Sequence, residues 1–323
     1  MSPLVDRYGR PVDGLRISIT DACNFSCIYC HREGVPEKGR TLMTPEELGR
    51  IARLASELGI RKIKLTGGEP TLRPDVVEVV ARISEVEGIE DLSMTTNGSR
   101  MADLAYELAE AGLDRVNISL DTLRPDVYRF ITGRDVLPDV LAGIEAALDA
   151  GLRPVKLNMV LLKGINDDEV WSLLDFARER KAILQVIELV EAPGVPEGVF
   201  KAYHVDLQGL EEELMRKAVK VVRRPMQDRP KFFLPNGAEV ELVRPLHNTR
   251  FCARCRRLRM TADGKLKMCL MRPETLDLLG PMRAGASDEE LKEIFRRAVQ
   301  LREPFYKPSS PAGTAGSAQA SAR

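Results

Sequence analysis

From residue 14 to about 190 the hydrophobic pattern switches repeatedly between two periods. Short β-branched runs ending in Gly, Thr, Asn or Asp alternate with longer stretches in which apolar residues recur at helical spacing. Residues 15–20, 62–66, 91–95, 115–120, 155–161 and 184–189 read as strands, and helices are expected near 44–58, 74–86, 101–111, 137–150 and 167–180. In the first helix Thr44 is placed to cap and Pro45 suits the first turn. Ile51, Leu54, Ala55 and Leu58 then share one face until Gly59 ends it.

Strands joined by crossovers of this length imply a parallel sheet with right-handed βαβ connections. A full eight-unit barrel takes about 250 residues, and here six units fit before residue 190. The pattern therefore predicts an α/β fold, a partial (βα)6 TIM-like barrel over residues 1–200, with a doubly wound sheet as the rival. In both, chemistry belongs at the C-terminal strand ends. Beyond Glu191 the pattern loosens. Residues 192–200 read as a loop, 206–218 as a charged helix, 219–243 as strands joined by a turn at Pro235-Asn236-Gly237, and 288–301 as a helix. A C-terminal α+β region is expected at 201–306. Residues 307–323, dominated by Pro, Ser, Gly and Ala, are expected to form a disordered tail.

Charge narrows the function. Forty-eight Lys and Arg balance 48 Asp and Glu, so no long-range positive field favours a nucleic-acid backbone. No apolar run approaches the roughly 18 residues of a membrane span, and the N-terminus lacks the apolar stretch of a secretory signal. A cytoplasmic protein with reduced thiols is expected, binding neither nucleic acid nor membrane. The six cysteines form two triplets, Cys23, Cys27, Cys30 and Cys252, Cys255, Cys269. Disulfide pairing of two odd groups explains them poorly in a reducing compartment.

The first triplet lies in Thr20-Asp21-Ala22-Cys23-Asn24-Phe25-Ser26-Cys27-Ile28-Tyr29-Cys30-His31, directly after the first strand. Three thiolates in one loop can converge on a metal centre. Zinc would take His31 as a fourth ligand, whereas an iron–sulfur cluster held by three cysteines would leave one iron open. Thr66-Gly67-Gly68-Glu69-Pro70, Thr95-Thr96-Asn97-Gly98 and Ser119-Leu120-Asp121-Thr122 end successive strands, and paired glycines permit close approach to the backbone. The second triplet has C-x2-C-x13-C spacing. His247 could complete a zinc ribbon there, but two separate three-thiol sites argue for two clusters with open irons. Arg250, Arg254, Arg256, Arg257 and Arg259 crowd this triplet, suggesting an anionic substrate.

The C-x3-C-x2-C run, with an aromatic residue before its last cysteine, resembles the signature of the radical SAM superfamily. Taken with the second triplet, Phe130-Ile131-Thr132-Gly133-Arg134 and Leu258-Arg259-Met260-Thr261-Ala262-Asp263-Gly264, the chain resembles the MoaA family of GTP 3′,8-cyclases of molybdenum cofactor biosynthesis. The resemblance implies a lyase that converts GTP to (8S)-3′,8-cyclo-7,8-dihydroguanosine 5′-triphosphate. A 5′-deoxyadenosyl radical made from S-adenosyl-L-methionine (SAM) would take the C3′ hydrogen, and C3′ would then attack C8 of guanine. It implies two [4Fe-4S] clusters, one on Cys23, Cys27 and Cys30, the other on Cys252, Cys255 and Cys269. Tyr29, Gly68, Ser119 and Val190 would contact SAM. Arg16, Lys64, Thr95, Lys156, Arg257, Leu258 and Arg259 would contact GTP. Partners implied are a reduced ferredoxin or flavodoxin as electron donor, the downstream cyclic pyranopterin monophosphate synthase MoaC, and a second copy in a homodimer. Val190 stands where Met is frequent, Lys64 where Arg is, and the chain ends Ser321-Ala322-Arg323 where the family carries Gly-Gly. The alternatives are a radical SAM enzyme with an auxiliary cluster acting on another substrate, and a zinc-stabilised module without catalysis.

Overall fold

Six strands form the frame: β1 (Gly14–Ser18), β2 (Lys62–Thr66), β3 (Asp91–Thr96), β4 (Arg115–Ser119), β5 (Lys156–Leu161) and β6 (Ile183–Glu188). They occur in a computed structural model that describes residues 4–34 and 42–307. Each pairs in parallel with the next in chain order. A doubly wound sheet would reverse its order at a switch point. The uninterrupted order therefore removes that rival and leaves a curled half-barrel.

Helices α1 (Pro45–Glu57), α2 (Val76–Ser84), α3 (Met101–Glu110), α5 (Leu137–Asp149) and α6 (Val170–Glu179) lie where the periodicity puts them. Thr44 caps α1 in a reciprocal box with Glu47 and Pro45 opens the first turn. Pattern reading misses α4 (Pro125–Thr132). Its Val, Tyr, Phe, Ile and Thr are weak helix formers, and burial of Tyr128 and Ile131 with a left-handed Gly133 cap holds it instead.

The C-terminal region completes the sheet rather than standing apart. It supplies α7 (Val199–Tyr203), α8 (Gln208–Lys217), β7 (Lys220–Arg223), β8 (Pro230–Phe233), β9 (Glu239–Val243), α9 (Thr249–Ala253), β10 (Arg257–Met260), β11 (Lys265–Lys267), β12 (Thr275–Asp277), α10 (Leu279–Arg283) and α11 (Asp288–Gln300). β9 joins β6 in parallel and β10 joins β1 in parallel, giving eight parallel strands within a 12-stranded sheet. Antiparallel strands continue it at both ends, β8 and β7 beyond β9, β11 and β12 beyond β10. The strand order runs from β12 to β7 without closing, so the barrel is partial. Because α7 begins at Val199, the expected loop at 192–200 ends two residues early. The expected tail at 307–323 lies outside the described residues, apart from Lys307.

One apolar core fills the space between sheet and helices. Leu15, Ile17, Ile63, Leu65, Met94, Val116, Ile118, Leu157 and Val186 project into it and meet Ile51, Leu54, Val79 and Ile144. Alternate residues face the other way. On the lumen side the same strands carry Arg16, Lys64, Thr95, Asn117, Ser119, Lys156, Asn158, Gln185, Glu241, Arg257 and Arg259. The register sets Arg259, Arg16 and Lys64 in one row, and Asn158, Gln185 and Glu241 in another. A parallel sheet buried on both faces reads as a near-continuous apolar run, and a TIM-type interior is filled by branched side chains. This lumen is polar throughout, and so is built as a site.

Candidate active site

The loop after β1 carries the first cysteine triplet against the ends of β2 to β5. Gly68 N–H donates to the Thr20 carbonyl at 2.8 Å and Glu69 N–H to the Ala22 carbonyl at 2.7 Å. A Cβ on Gly67 would collide with the Thr20 carbonyl oxygen, and one on Gly68 with that of Ala22. The close approach that these glycines permit is thus used by the cysteine loop itself. Glu69, fully buried, accepts from Thr71 Oγ1 and Thr96 Oγ1 at 2.6 Å each and from Asn97 N–H at 2.6 Å. It fastens one strand-end motif to the next.

All six cysteines are thiols. Burial pushes the Cys27 thiol up, and Asp121, Cys30 and Cys23 push it further, so the triplet's members sense one another. At the second triplet burial raises Cys252, with the charges of Cys255 and Cys269 adding to it, whereas Arg302 and Arg257 bring the Cys255 thiol down against its burial. Thiols crowded in this way resist ionising together unless a cation joins them, and an iron centre would invert that balance. The donor sets fit iron–sulfur clusters. Among the described residues no three His, Cys, Asp or Glu side chains gather around a point that could hold one metal ion. Of the two histidines considered as zinc ligands, His247 stacks on Tyr306 with ring centroids 5.1 Å apart, and His31, half-buried, has its Nδ1 without a hydrogen-bond partner.

Tyr29, in the cysteine loop, donates its hydroxyl to Asp121 Oδ2 at 2.5 Å, while Val160 N–H donates to Oδ1 at 2.8 Å. Burial raises the Asp121 carboxyl to about 6 against these two bonds. Ser119 ends β4 two residues earlier, on the lumen side. Val190 follows β6 at the same end of the barrel.

Beneath the cysteine loop the lumen is cationic. Lys64 donates to Asn117 Oδ1 at 2.8 Å. Burial drives its ammonium value well down, and Arg115, Arg16, Arg257 and Lys156 add to the effect. Thr95 shares a register row with Asn117. Arg16 Nε is buried with no hydrogen-bond partner, a donor that an anionic ligand would satisfy. Leu258, between Arg257 and Arg259, is fully buried on the opposite face, so only its backbone borders the lumen.

Two acids offset these cations. Glu33 bridges Arg16 at 2.6 Å and Arg259 at 2.7 Å. Burial opposes its ionisation, but Arg16 and then Arg259 outweigh that and hold the carboxyl at about 2. Glu241 of β9 accepts from Lys156 at 2.6 Å, Arg224 at 2.7 Å and Gln185 at 2.9 Å. Burial lowers Lys156 to about 7 even with Glu241 beside it, because Arg224 and Arg229 repel its charge. Glu241 stays ionised because it faces three cations.

The basic run around the second triplet divides by direction. Arg250 and Arg254 lie outside, near Asp228, and Arg256 pairs with Asp13 at 2.8 Å. Only Arg257 and Arg259 enter the lumen. Arg257 stands two residues after Cys255 of the second triplet, and Arg259 pairs with Glu33, three residues beyond Cys30. Sequence reasoning singles out neither Glu33, Glu241 nor Asn117, and it names Asp121 only within the strand-end motif Ser119-Leu120-Asp121-Thr122, without a role. The apolar–polar alternation of Arg115-Val116-Asn117-Ile118-Ser119 and Glu239-Val240-Glu241-Leu242-Val243 carries a signal for two of them.

Comparison with known proteins agrees with this geometry. The Radical SAM superfamily model matches residues 17–177, and the Molybdenum Cofactor Synthesis C model matches 182–308. A probable GTP 3′,8-cyclase of Thermococcus kodakarensis is 54% identical over 94% of this chain and 100% of its own length. One from Pyrococcus horikoshii is 55% identical over 95% of this chain and 99% of its own. Among solved structures, Streptococcus suis SuiB bound to S-adenosylmethionine superposes with a TM-score of 0.66 at 17% identity, over 91% of this chain and 67% of that one. That last likeness speaks to the fold.

Proposed function

The chain belongs to the GTP 3′,8-cyclase family of the radical SAM superfamily, and from that premise we propose how its own residues serve the reaction. It is a lyase acting on GTP, with SAM and a [4Fe-4S] cluster as cofactors. Bound together, these supply a 5′-deoxyadenosyl radical able to take hydrogen from a sugar C–H bond. Cys23, Cys27 and Cys30 hold that cluster, and SAM lies against Tyr29, Gly68, Ser119 and Val190, with Tyr29 fixed by Asp121. Cys252, Cys255 and Cys269 would hold a second [4Fe-4S] cluster, which would offer the guanine base a binding site.

GTP spans the lumen between them. Arg16 and Arg259 take phosphate oxygens through guanidinium forks. Lys64, Lys156 and Arg257 add charge, and Thr95 and the Leu258 backbone add hydrogen bonds. A primary radical attacks any C–H bond within reach, so what these residues contribute is position: C3′ toward SAM, C8 toward C3′, and no competing hydrogen nearby. The carrying observation is the pair on β10. Arg257 follows Cys255 by two residues and Arg259 pairs with Glu33, three residues beyond Cys30, which supports a substrate lying between the two cysteine triplets.

The barrel at 1–200 and the C-terminal region at 201–306 divide the labour, SAM chemistry in one and base binding in the other. A reduced ferredoxin or flavodoxin supplies electrons, MoaC takes the product, and the working unit is a cytoplasmic homodimer. Among the described residues no helix is long and apolar enough to cross a membrane. Anaerobic incubation of the reconstituted protein with SAM, GTP and dithionite should yield 5′-deoxyadenosine and cyclised nucleotide in equal amounts. SAM cleavage indifferent to GTP would reject the substrate assignment.

A further inference from the structure

Behind the second cysteine triplet lies a charged group that the reaction described above does not use. Arg302, which follows α11, is 1% exposed, and Asp6 and Arg10, from the segment before β1, are 4% and 5% exposed. Asp6 Oδ2 accepts from Arg10 Nε at 2.8 Å and from Arg302 Nη1 at 3.1 Å. Each arginine spends its other arm on the cysteine loop. Arg10 Nη1 donates to the Cys252 carbonyl at 3.0 Å, and Arg302 Nη2 donates to the Cys255 carbonyl at 2.6 Å. Arg302 Nε is buried with no hydrogen-bond partner.

We propose that Asp6, Arg10 and Arg302 are positioning residues for the second cluster, fixing the turn that carries Cys252 and Cys255 and setting the cluster's reduction potential. The inference rests on the two-cluster reading and assigns it residues from both ends of the described chain. Burying two guanidiniums for one carboxylate leaves a net positive charge out of water, which is costly unless a further anion stands close. A cluster held by three cysteine thiolates is such an anion. The unpaired Nε–H is a donor that a cluster sulfur would satisfy, and hydrogen bonds and charge near the sulfurs are among the levers that set cluster potentials. The carbonyl bonds fix the loop itself, as outer-shell groups orient metal ligands. The first triplet lies in another loop, so its cluster is left unaffected.

The test is an EPR-monitored redox titration of the full-length, two-cluster protein, with iron counted before and after a chelator challenge. Arg302→Met and Arg10→Met should shift the second cluster's midpoint to lower potential, because positive charge no longer favours the added electron. Both should also release about four of about eight irons faster. Asp6→Asn keeps both arginines and should shift the midpoint the opposite way. Opposite signs are the discriminating readout, since a merely structural role would loosen the loop alike in all three. Arg302→Lys should restore most of the potential. If Arg302→Met does not fold, Arg10→Met and Asp6→Asn carry the test. Midpoints that stay fixed, or move the same way in Asp6→Asn and the arginine variants, overturn the proposal. A wild-type protein holding only about four irons overturns the two-cluster reading itself, and this inference with it.

Discussion

Glu33 lies between Arg16 and Arg259, where the proposed binding mode puts a phosphate group, and that makes Glu33→Gln an informative substitution. A carboxyl held at about 2 instead of its ordinary 4.5 has its charged form stabilised by about 3 kcal/mol. GTP must supply that free energy to displace it, which costs about 100-fold in affinity. Glutamine keeps hydrogen-bonding capacity toward the arginines but loses the charge. Glu33→Gln should therefore bind GTP roughly 10- to 100-fold more tightly. Calorimetry under anaerobic conditions reads this directly, with guanosine as the control because it lacks phosphates. Only GTP should respond. The unliganded variant should also melt earlier at neutral pH, since Arg16 and Arg259 lose their counter-charge. In the wild type this contribution is present above about 4.5 and fades as the pH falls toward 2. Unchanged or weaker GTP binding, or an equal response to guanosine, would refute the idea that Glu33 and phosphate compete.

Three other outcomes follow from the same geometry. Glu241→Ala leaves Lys156 buried without its acid and removes the partner of the half-exposed Arg224; it should lower unfolding free energy by about 3–5 kcal/mol in denaturant titrations, and a loss under 1 kcal/mol would contradict the buried Lys156–Glu241 pair. Lys156, held at about 7 by burial, must be charged to meet phosphate. GTP affinity measured by equilibrium dialysis should fall from pH 7 to pH 9, and Lys156→Arg should flatten that profile. The unfolded chain binds the more protons between about 7 and 10.5, so this site's contribution to stability grows across the same window. Cys269→Ser should reduce iron from about eight to about four per chain and abolish product while sparing the first cluster; equal loss from both would contradict two independent centres.

Much of this molecule is legible locally. Residues 62–66 form the strand their alternation predicts, and Thr44, Pro45 and Glu47 mark the start of α1 through capping chemistry that needs no tertiary context. The curl of the sheet was also in reach. Gly14-Leu15-Arg16-Ile17-Ser18 and Lys62-Ile63-Lys64-Leu65-Thr66 alternate apolar with polar, which a parallel sheet covered on both faces would not do. The α4 segment was hidden because its residues disfavour helix and only burial selects it. The partners of Glu241 and Glu33 are hidden for another reason. The alternation around Glu241 marks it as facing away from the core, but its meeting with Lys156 depends on β9 joining β6, and the place of Glu33 depends on β10 joining β1, pairings that the local pattern does not show. The cysteines stand out by spacing, but the arginines that pin the second triplet come from the two ends of the described chain.

Transfer of deuterium from GTP labelled at C3′ tests the central claim most directly. With SAM and reductant under anaerobic conditions, this account predicts that 5′-deoxyadenosine acquires one deuterium for each cyclised nucleotide formed. Unlabelled 5′-deoxyadenosine formed at the same rate with and without GTP would contradict it.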